Sequence, residues 1–374
     1  MALSKILPAS QEQYAGARNL VINSAMQVWQ RGATIDTITS GDYLCDRWRI
    51  AHSGTDGNVD VDRSTDVPSG QGFGYSQKIS MDASETSLDA ADQVNIAQRF
   101  EGQDLQKLAK GTSSAKSLTL SFWVKSSVAS TYSINLYDSD NTRVISASYI
   151  VSATNTWEKK TVTFAGDTTG ALDNDSARSL DLTFWLDAGT NWTGGTFGTS
   201  WAANVNNTRV YDTTGWLEST SPEFYLTGVQ LEVGEQATPF EHRSFQDEIT
   251  RCKRYYQNSF PYGTAPFNNA GQGAARWDER TAVRPPNSFS TSTYIGAVCH
   301  LPVTMRATPV TTAYNTNTSG TSGSYLNDLQ NSATTTSYAI QSTNHNTELL
   351  NFYAGGISGQ TNTFGVNWEA DAEL

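Results

Sequence analysis

Hydrophobic and polar residues alternate along much of the first two thirds of the chain. In residues 118–124 (LTLSFWV), Leu118, Leu120, Phe122 and Val124 fall on one side, and Thr119, Ser121 and Trp123 on the other. Successive side chains of an extended strand point to opposite faces, so a period of two predicts a half-buried β-strand. The pattern recurs in 132–137 (YSINLY) and 180–186 (LDLTFWL), where Leu180, Leu182, Phe184 and Leu186 align. Further strands are predicted at 143–151, 157–164 and 223–233. Asp138-Ser139-Asp140-Asn141 is turn chemistry, which makes 132–151 a hairpin. Strands in this number with turn-rich links predict an antiparallel sandwich over residues 19–243. The segments SLTLSFWV (117–124) and SLDLTFWL (179–186) match position by position, each with a Trp, Trp123 or Trp185, on the polar side. They are expected to be equivalent strands of one double-sheet module.

The period lengthens once, in residues 244–256 (SFQDEITRCKRYY). Ser244 is suited to an N-cap, with Asp247 three residues later. Ile249, Cys252 and Tyr255 or Tyr256 share one face at three-to-four spacing. Acidic Asp247 and Glu248 come early and basic Arg251, Lys253 and Arg254 late, which complements the helix dipole. A short helix bridging two β-rich regions is expected over 244–257. Its apolar stripe either packs on the sandwich or meets symmetry mates. Residues 258–374 are expected to form a second, smaller β-domain, with strands at 294–299, 301–306, 337–341, 348–353 and 363–368, and a loop or weak strand at 314–324. Residues 1–18 are mixed and polar, and are read as either an arm that docks on a partner or a frayed terminus.

Composition narrows the function. Charged residues are 17% of the chain, with a net charge of −12 and no basic stripe, so direct nucleic-acid binding is not expected. No run approaches the about 18 apolar residues of a membrane span, so membrane insertion is not expected. No hydrophobic leader follows Met1, so synthesis in a host cytoplasm without export by the ordinary route is expected, with release by other means such as lysis by a virus. The odd set Cys45, Cys252 and Cys299 has neither metal nor disulfide spacing and reads as inert thiols. His52, His242, His300 and His345 are isolated, and no nucleophile elbow, phosphate loop or zinc helix occurs, so no catalytic residue and no cofactor is assigned. Asp138, Asp140, Asn141 and Asp173, Asn174, Asp175 lack the spacing of a calcium loop and read as turns, so no metal ligand is assigned.

The aromatic content changes the picture most. Ten Trp and 16 Tyr are many for a polar chain. Sugar rings present apolar C–H faces, and their sites pair an aromatic platform with a few amides or carboxylates. Trp123, Tyr137 and Trp185 are candidates for such a platform, unless loops or a symmetry mate cover them. Trp192 and Trp201, with Tyr211 and Trp216, lie in a Gly/Thr/Asn-rich loop at 189–216 that reads as a recognition loop or a trimer contact. Trp277, among Arg276, Asp278 and Arg280, is a further carbohydrate-binding candidate.

Asn19-Leu20-Val21-Ile22-Asn23, Trp29 and Asp46-Arg47-Trp48 resemble the first strands of polysaccharide-binding jelly-roll modules, as do Phe122-Trp123-Val124-Lys125 and Val229-Gln230-Leu231-Glu232. Gln230-Leu231-Glu232-Val233-Gly234, Ala237-Thr238-Pro239-Phe240-Glu241, Arg254-Tyr255-Tyr256, residues 301–309 and the terminal Ala370-Asp371-Ala372-Glu373-Leu374 resemble tail-fibre-like structural proteins of phages. The resemblance spans residues 19–374. It implies an all-β protein, a jelly-roll β-sandwich followed by a bridging helix and a smaller β-domain, assembled as a homotrimer. It also implies a virion protein, on a fibre, tail or head surface, that attaches to a host-surface glycan; residues 1–18, if they are a docking arm, would join it to other virion proteins. Two rivals stay open: a capsid-decorating or tail-assembly protein without glycan binding, and a polysaccharide depolymerase.

Overall fold

The computed structural model describes residues 18–268, 295–314, 345–354 and 367–374, with short strand pieces at 282–283, 325–328, 338–339, 341–342 and 364–365. Among the described residues the chain is all-β apart from one α-helix and a few single-turn 3-10 segments. It folds as two compact units. Residues 18–27, 36–42 and 49–244 belong to the first, and 28–35, 43–48 and those from 245 onward to the second. The sequence pattern had placed all of 28–48 in the sandwich.

The first unit contains β1 (Arg49–Ser53), β2 (Val59–Ser64), β3 (Ser76–Met81), β4 (Gln93–Glu101), β5 (Leu118–Ser126) and β6 (Thr131–Asp138). It continues with β7 (Arg143–Ile150), β8 (Glu158–Phe164), β9 (Arg178–Ala188), β10 (Ala202–Ala203) and β11 (Glu223–Val233). One antiparallel sheet runs β2-β3-β11-β5-β8, the other β10-β7-β6-β9-β4-β1. The chain crosses repeatedly between sheets, as in the expected jelly-roll sandwich. The apolar faces meet: the Phe122 ring of β5 lies 5.0 Å from both Phe184 of β9 and Tyr149 of β7, and Tyr132 of β6 lies 5.6 Å from Phe224 of β11. Leu120, Val124, Ile134, Leu182 and Leu226 complete a fully buried layer, each contributing about 1.5–3 kcal/mol by its removal from water.

The matching segments at 117–124 and 179–186 are both strands of the double-sheet module, one in each sheet. They are β5 and β9, in opposite sheets, so Trp123 and Trp185 face away from each other across the core. Strands β1 to β4 went unpredicted, although Val94, Ile96 and Phe100 alternate along β4.

The middle of β11 is broken. Gly228 has φ +61°, and the register with β5 shifts between Thr227 and Gln230. A Cβ at Gly228 would come within 2.5 Å of the Phe73 ring, so only glycine fits. Asn19 occupies the break. Its Nδ2 donates to the Val229 carbonyl, and its Oδ1 accepts from the amides of Val21 and Leu231, each at 3.0 Å. The Asn19 amide donates to Glu241 at 2.7 Å, and Arg243 donates to the carbonyls of Val21 and Asn19. The Asn19 motif thus staples the start of the unit to its last strand rather than forming a strand itself.

In the second unit, α1 (Phe245–Lys253) is shorter than the predicted helix, and the chain turns into β12 (Tyr256–Asn258). The buried helix residues are Glu248 and Cys252, while Ile249 is half-buried, so the expected apolar stripe is partly replaced by a carboxylate. β13 (Ile295–His300) pairs with β15 (Leu349–Ala354), and β16 (Asn367–Asp371) sits between β12 and β14 (Val310–Tyr314). Residues 301–306 are not a strand. The amides of Leu301 and Met305 bond instead to the carbonyls of Glu348 and Thr347, at 2.8 Å.

Tyr255, Tyr256, Asp371 and Glu373 of the tail-fibre resemblance meet Arg31, Asp46 and Arg47 in a buried charged knot. The Arg47 guanidinium, 1% exposed, pairs with Glu373 and stacks 3.4 Å from the Tyr255 ring centre. Arg31 stacks 3.5 Å from Tyr256 and reaches Asp371 at 3.0 Å, Glu373 at 3.5 Å and Asp46 at 3.7 Å. Asp46 also accepts two bonds from Gln30 at 2.7 Å. Burial opposes the charge on Arg31, yet the three carboxylates outweigh it and raise its pKa. Burial pushes Asp46 up to about 6, against the opposing pull of Arg31 and the Gln30 bonds. Arg31 is shared among three acids and sits farthest from Asp46, which is why burial wins there. Burial also drives the Cys252 thiol well above its ordinary range, as expected of an inert cysteine.

Candidate functional site

The outward face of the second sheet carries a groove of about 450 Å³. Its floor is set by strand register. Tyr137, Asp181 and Arg99 lie side by side across β6, β9 and β4. Asn135, Thr183, Ala97 and Arg49 form the next row, and Ser133, Trp185, Asn95 and Ala51 the row after it. These are the positions opposite the core-facing Leu180, Leu182, Phe184 and Ile96, so the alternation that builds the sandwich also builds the floor. The loop after β9 supplies one wall through Trp192, Asn204, Asn206 and Arg209.

Arg209 is the hub. Its guanidinium lies 5.2 Å from the Trp185 ring centre, 5.3 Å from Tyr137 and 5.7 Å from Trp192. Its Nε donates to Asn135 Oδ1 at 3.1 Å, which also accepts from Trp185 Nε1 at 2.6 Å. Burial lowers the Arg209 pKa to about 10; Asp181 opposes the shift and the like charge of Arg178 adds to it. Arg178 holds Asp181 by a two-bond fork and lies 5.6 Å from the Tyr137 ring centre. Trp192 Nε1 and Asn204 Oδ1 are shielded from solvent with no hydrogen-bond partner among the described residues. Such atoms cost about 1–3 kcal/mol each until something pairs with them.

The six aromatic candidates therefore separate. Tyr137, Trp185 and Trp192 come together at the groove. Trp185 is not an open platform: it is 2% exposed, packed on Trp192 at 5.1 Å and covered by Arg209. Trp123 is half-buried on the other sheet, between Thr227 and Lys159. Its neighbours on that face form a satisfied lattice in which Lys125 lies 4.0 Å from the Tyr225 ring centre and Trp157 donates to Asp66 at 2.8 Å. Trp201 is drawn away from the groove, donating to the Ala165 carbonyl at 2.8 Å over Lys110. Trp277 lies outside the described residues, as do residues 1–17.

The residues missed in the sequence are the polar ones: Asn95, Arg99, Arg178, Asp181, Thr183 and Arg209. The alternation of Val94, Ile96 and Phe100 held the signal for Asn95 and Arg99.

Of the residues weighed as calcium ligands, Asp138, Asp140, Asn141 and Asp175 are otherwise engaged. Lys110 Nζ pairs with Asp138 at 2.5 Å and Asp167 at 3.0 Å, so an ammonium holds that corner of the hairpin. Asp140 and Asp175 accept the amides of Asp173 and Ala177. Among the described residues, no group of three His, Cys, Asp or Glu side chains is arranged to hold a metal ion.

No protein-family model matches the chain, and no curated protein matches it in sequence. Solved structures do resemble it. The enzymatically active domain of tailspike protein 4 from bacteriophage CBA120 aligns over 53% of this chain at 15% identity and a TM-score of 0.29; the alignment spans 21% of the tailspike domain. A xylan-binding domain from Paenibacillus barcinonensis aligns over 59% of this chain and 100% of its own at 14% identity and a TM-score of 0.29. A carbohydrate-binding module solved with β-1,4-galactotriose aligns over 58% of this chain and 99% of its own at 10% identity and a TM-score of 0.29.

Proposed function

We propose that the groove binds carbohydrate and that the protein attaches a phage particle to a host-surface glycan. The observation that carries the glycan part is the groove itself. It is a concave site on a rigid sheet, where aromatic rings stand beside amide, hydroxyl and guanidinium groups. Sugars offer both an apolar face and a ring of hydroxyls. Hydroxyls entering the groove would also supply partners for Trp192 Nε1 and Asn204 Oδ1. The virion location and the homotrimer rest on the sequence resemblance, and the docking role of residues 1–18 on their mixed, polar composition. A trimer would multiply weak sites through effective concentration.

The groove does not suit hydrolysis. A glycosidase of the usual kind needs two carboxylates across the bond, and among the described residues Asp181 is the one acid lining this groove, held by Arg178.

The test is a blocked groove. Ala51→Trp, on the edge strand of the floor, fills the space with little change to the core. Wild-type protein should be retarded in gels containing host-surface polysaccharide, and the variant should run as in plain gel. Equal retardation of both would remove the groove from the reading. Gold-labelled antibody on intact particles tests the virion part: label on fibres or tail supports attachment, label across the head favours the decorating role, and unlabelled particles refute the virion assignment.

A further inference from the structure

We infer that Asn135 is a positioning residue for carbohydrate binding: buried beneath the wall of the groove, it holds Arg209 and through it sets where the wall stands over the floor. The inference rests on the groove being the carbohydrate site and names what fixes its shape.

The wall is a ribbon whose two arms bond to each other. The amides of Gly195, Gly198 and Val210 donate to the carbonyls of Asn207, Thr208 and Trp192 at 2.9, 3.0 and 3.0 Å. Its backbone is also tied to the sheet. β10 pairs with β7, the Ser146 amide donates to the Gly198 carbonyl at 2.7 Å, and the Tyr211 amide donates to Ser133 Oγ at 2.9 Å. These ties fix the path of the chain. They do not aim the side chains that face the groove, because a guanidinium on a flexible stem has many rotamers to lose.

Asn135 aims them from below. It lies on β6 and is fully buried. Its Nδ2 donates to the Arg209 carbonyl and to Ser146 Oγ, each at 2.7 Å. Its Oδ1 accepts from Arg209 Nε at 3.1 Å and from Trp185 Nε1 at 2.6 Å. A side-chain amide has two N–H donors and one oxygen with two lone pairs, so every bond it can make is made. One bond reaches the backbone of Arg209 and another its side chain, which fixes both where residue 209 sits and which way its guanidinium points. The bond from Trp185 locks the indole on which Trp192 packs at 5.1 Å. Val210, next along the ribbon, is buried in an apolar cluster with Trp185, Ala188 and Trp192. Arg209, Trp185 and Trp192 thus take their places from one buried amide, and the space between wall and floor follows from them. A wall already fixed spares a bound sugar the cost of ordering it. A change at Asn135 would therefore reach a ligand without touching it.

The experiment compares variants of the full-length protein on an array of purified bacterial surface polysaccharides. Calorimetry follows with those that the wild type binds and Ala51→Trp does not. Asn135→Ala removes the seat and should weaken binding about tenfold or more. Asn135→Asp keeps an acceptor for both Arg209 and Trp185 and should restore the affinity to within about threefold of wild type. Ser146→Ala removes a bond of Asn135 that does not reach the wall and leaves the backbone tie to Gly198, so it should cost stability but not binding. Near-ultraviolet circular dichroism gives a second reading without any ligand. The coupled signal of the Trp185 and Trp192 indoles should collapse in Asn135→Ala and persist in Asn135→Asp and Ser146→Ala. Should Asn135→Ala fail to fold, Asn135→Gln takes its place: it offers the same groups one methylene further out, and should shift the wall with the same two losses. Full affinity and an unchanged indole signal in the folded Asn135→Ala or Asn135→Gln protein overturn the positioning role and leave the groove reading intact. So does a loss of affinity in Ser146→Ala equal to that in Asn135→Ala, which would follow stability rather than the seat. Binding that survives Ala51→Trp, or no polysaccharide bound by the wild type, overturns the groove reading and the inference with it.

Discussion

Arginine stacks on aromatic rings in both units, with different acceptors. In the second unit, Arg31 and Arg47 lie on Tyr256 and Tyr255 and are matched by Asp46, Asp371 and Glu373. In the first, Arg209 lies among Tyr137, Trp185 and Trp192, and its Nε donates to the neutral amide of Asn135. The pairing of guanidinium with ring is the same physical contact in each place. What differs is the group that holds the guanidinium. Carboxylates make one cluster a fastening; a neutral amide makes the other the seat of a groove wall. Aromatic and arginine content alone, which is all a sequence displays, cannot separate the two.

The largest effect should come from breaking the carboxylate cluster. Glu373→Ala leaves Arg47 buried without its carboxylate and should cost about 3–5 kcal/mol in urea unfolding of the second unit; a loss below about 1 kcal/mol would show that Arg47 finds other partners. A smaller loss, about 1–3 kcal/mol, is expected for Trp185→Phe, which keeps an aromatic ring but removes the donor to Asn135 and part of the indole's volume. Stability unchanged in that variant would return Trp185 to the role of an open platform. The pH dependence sharpens the contrast further. Asp46 titrates near 6 when folded, against an ordinary value of 3.8. Between those pH values the folded state keeps a proton that the unfolded chain releases, so its contribution is full below about pH 4 and declines until about pH 6. Asp46→Asn should flatten that slope; an equal slope in the variant would assign it elsewhere. The smallest effect is expected of Trp123→Ala, which should leave polysaccharide retardation as in the wild type, because Trp123 stands on the other sheet. Loss of retardation there would move the site to the first sheet.

Much of the sandwich was legible because period-two alternation is local. It placed β5 to β9 and β11 within a few residues, and it put Tyr137 and Trp185 on the non-core side. It could not say which strand lies beside which. β4 and β9 have four other strands between them in the chain, yet their pairing sets Asp181 beside Arg99 and Trp185 beside Asn95. For the same reason alternation could not tell whether Trp123 and Trp185 share a platform; one faces a lattice of lysine and tyrosine and the other lies beneath a loop. The helix was legible from its charges and caps, but its burial was not. Glu248 is inside and Ile249 only half so, because the second unit has a cluster of arginines and acids where an apolar floor was assumed. Residues 28–35 and 43–48 read as part of the sandwich because chain order suggests it, whereas charge pairing draws them to Tyr255, Tyr256 and Glu373.

The staple at Asn19 bears on how the sandwich carries force. The points where the chain enters at residue 18 and departs at residue 244 are tied to each other by Asn19, Glu241 and Arg243, with Arg18 adding a bond to the Pro239 carbonyl at 2.6 Å. Tension applied between those two points is taken up by this handful of bonds and never runs along the ladders of either sheet. A pull through the chain therefore reaches the groove as almost no strain, and a ligand seated on the sheet would keep its grip while the ends are under load.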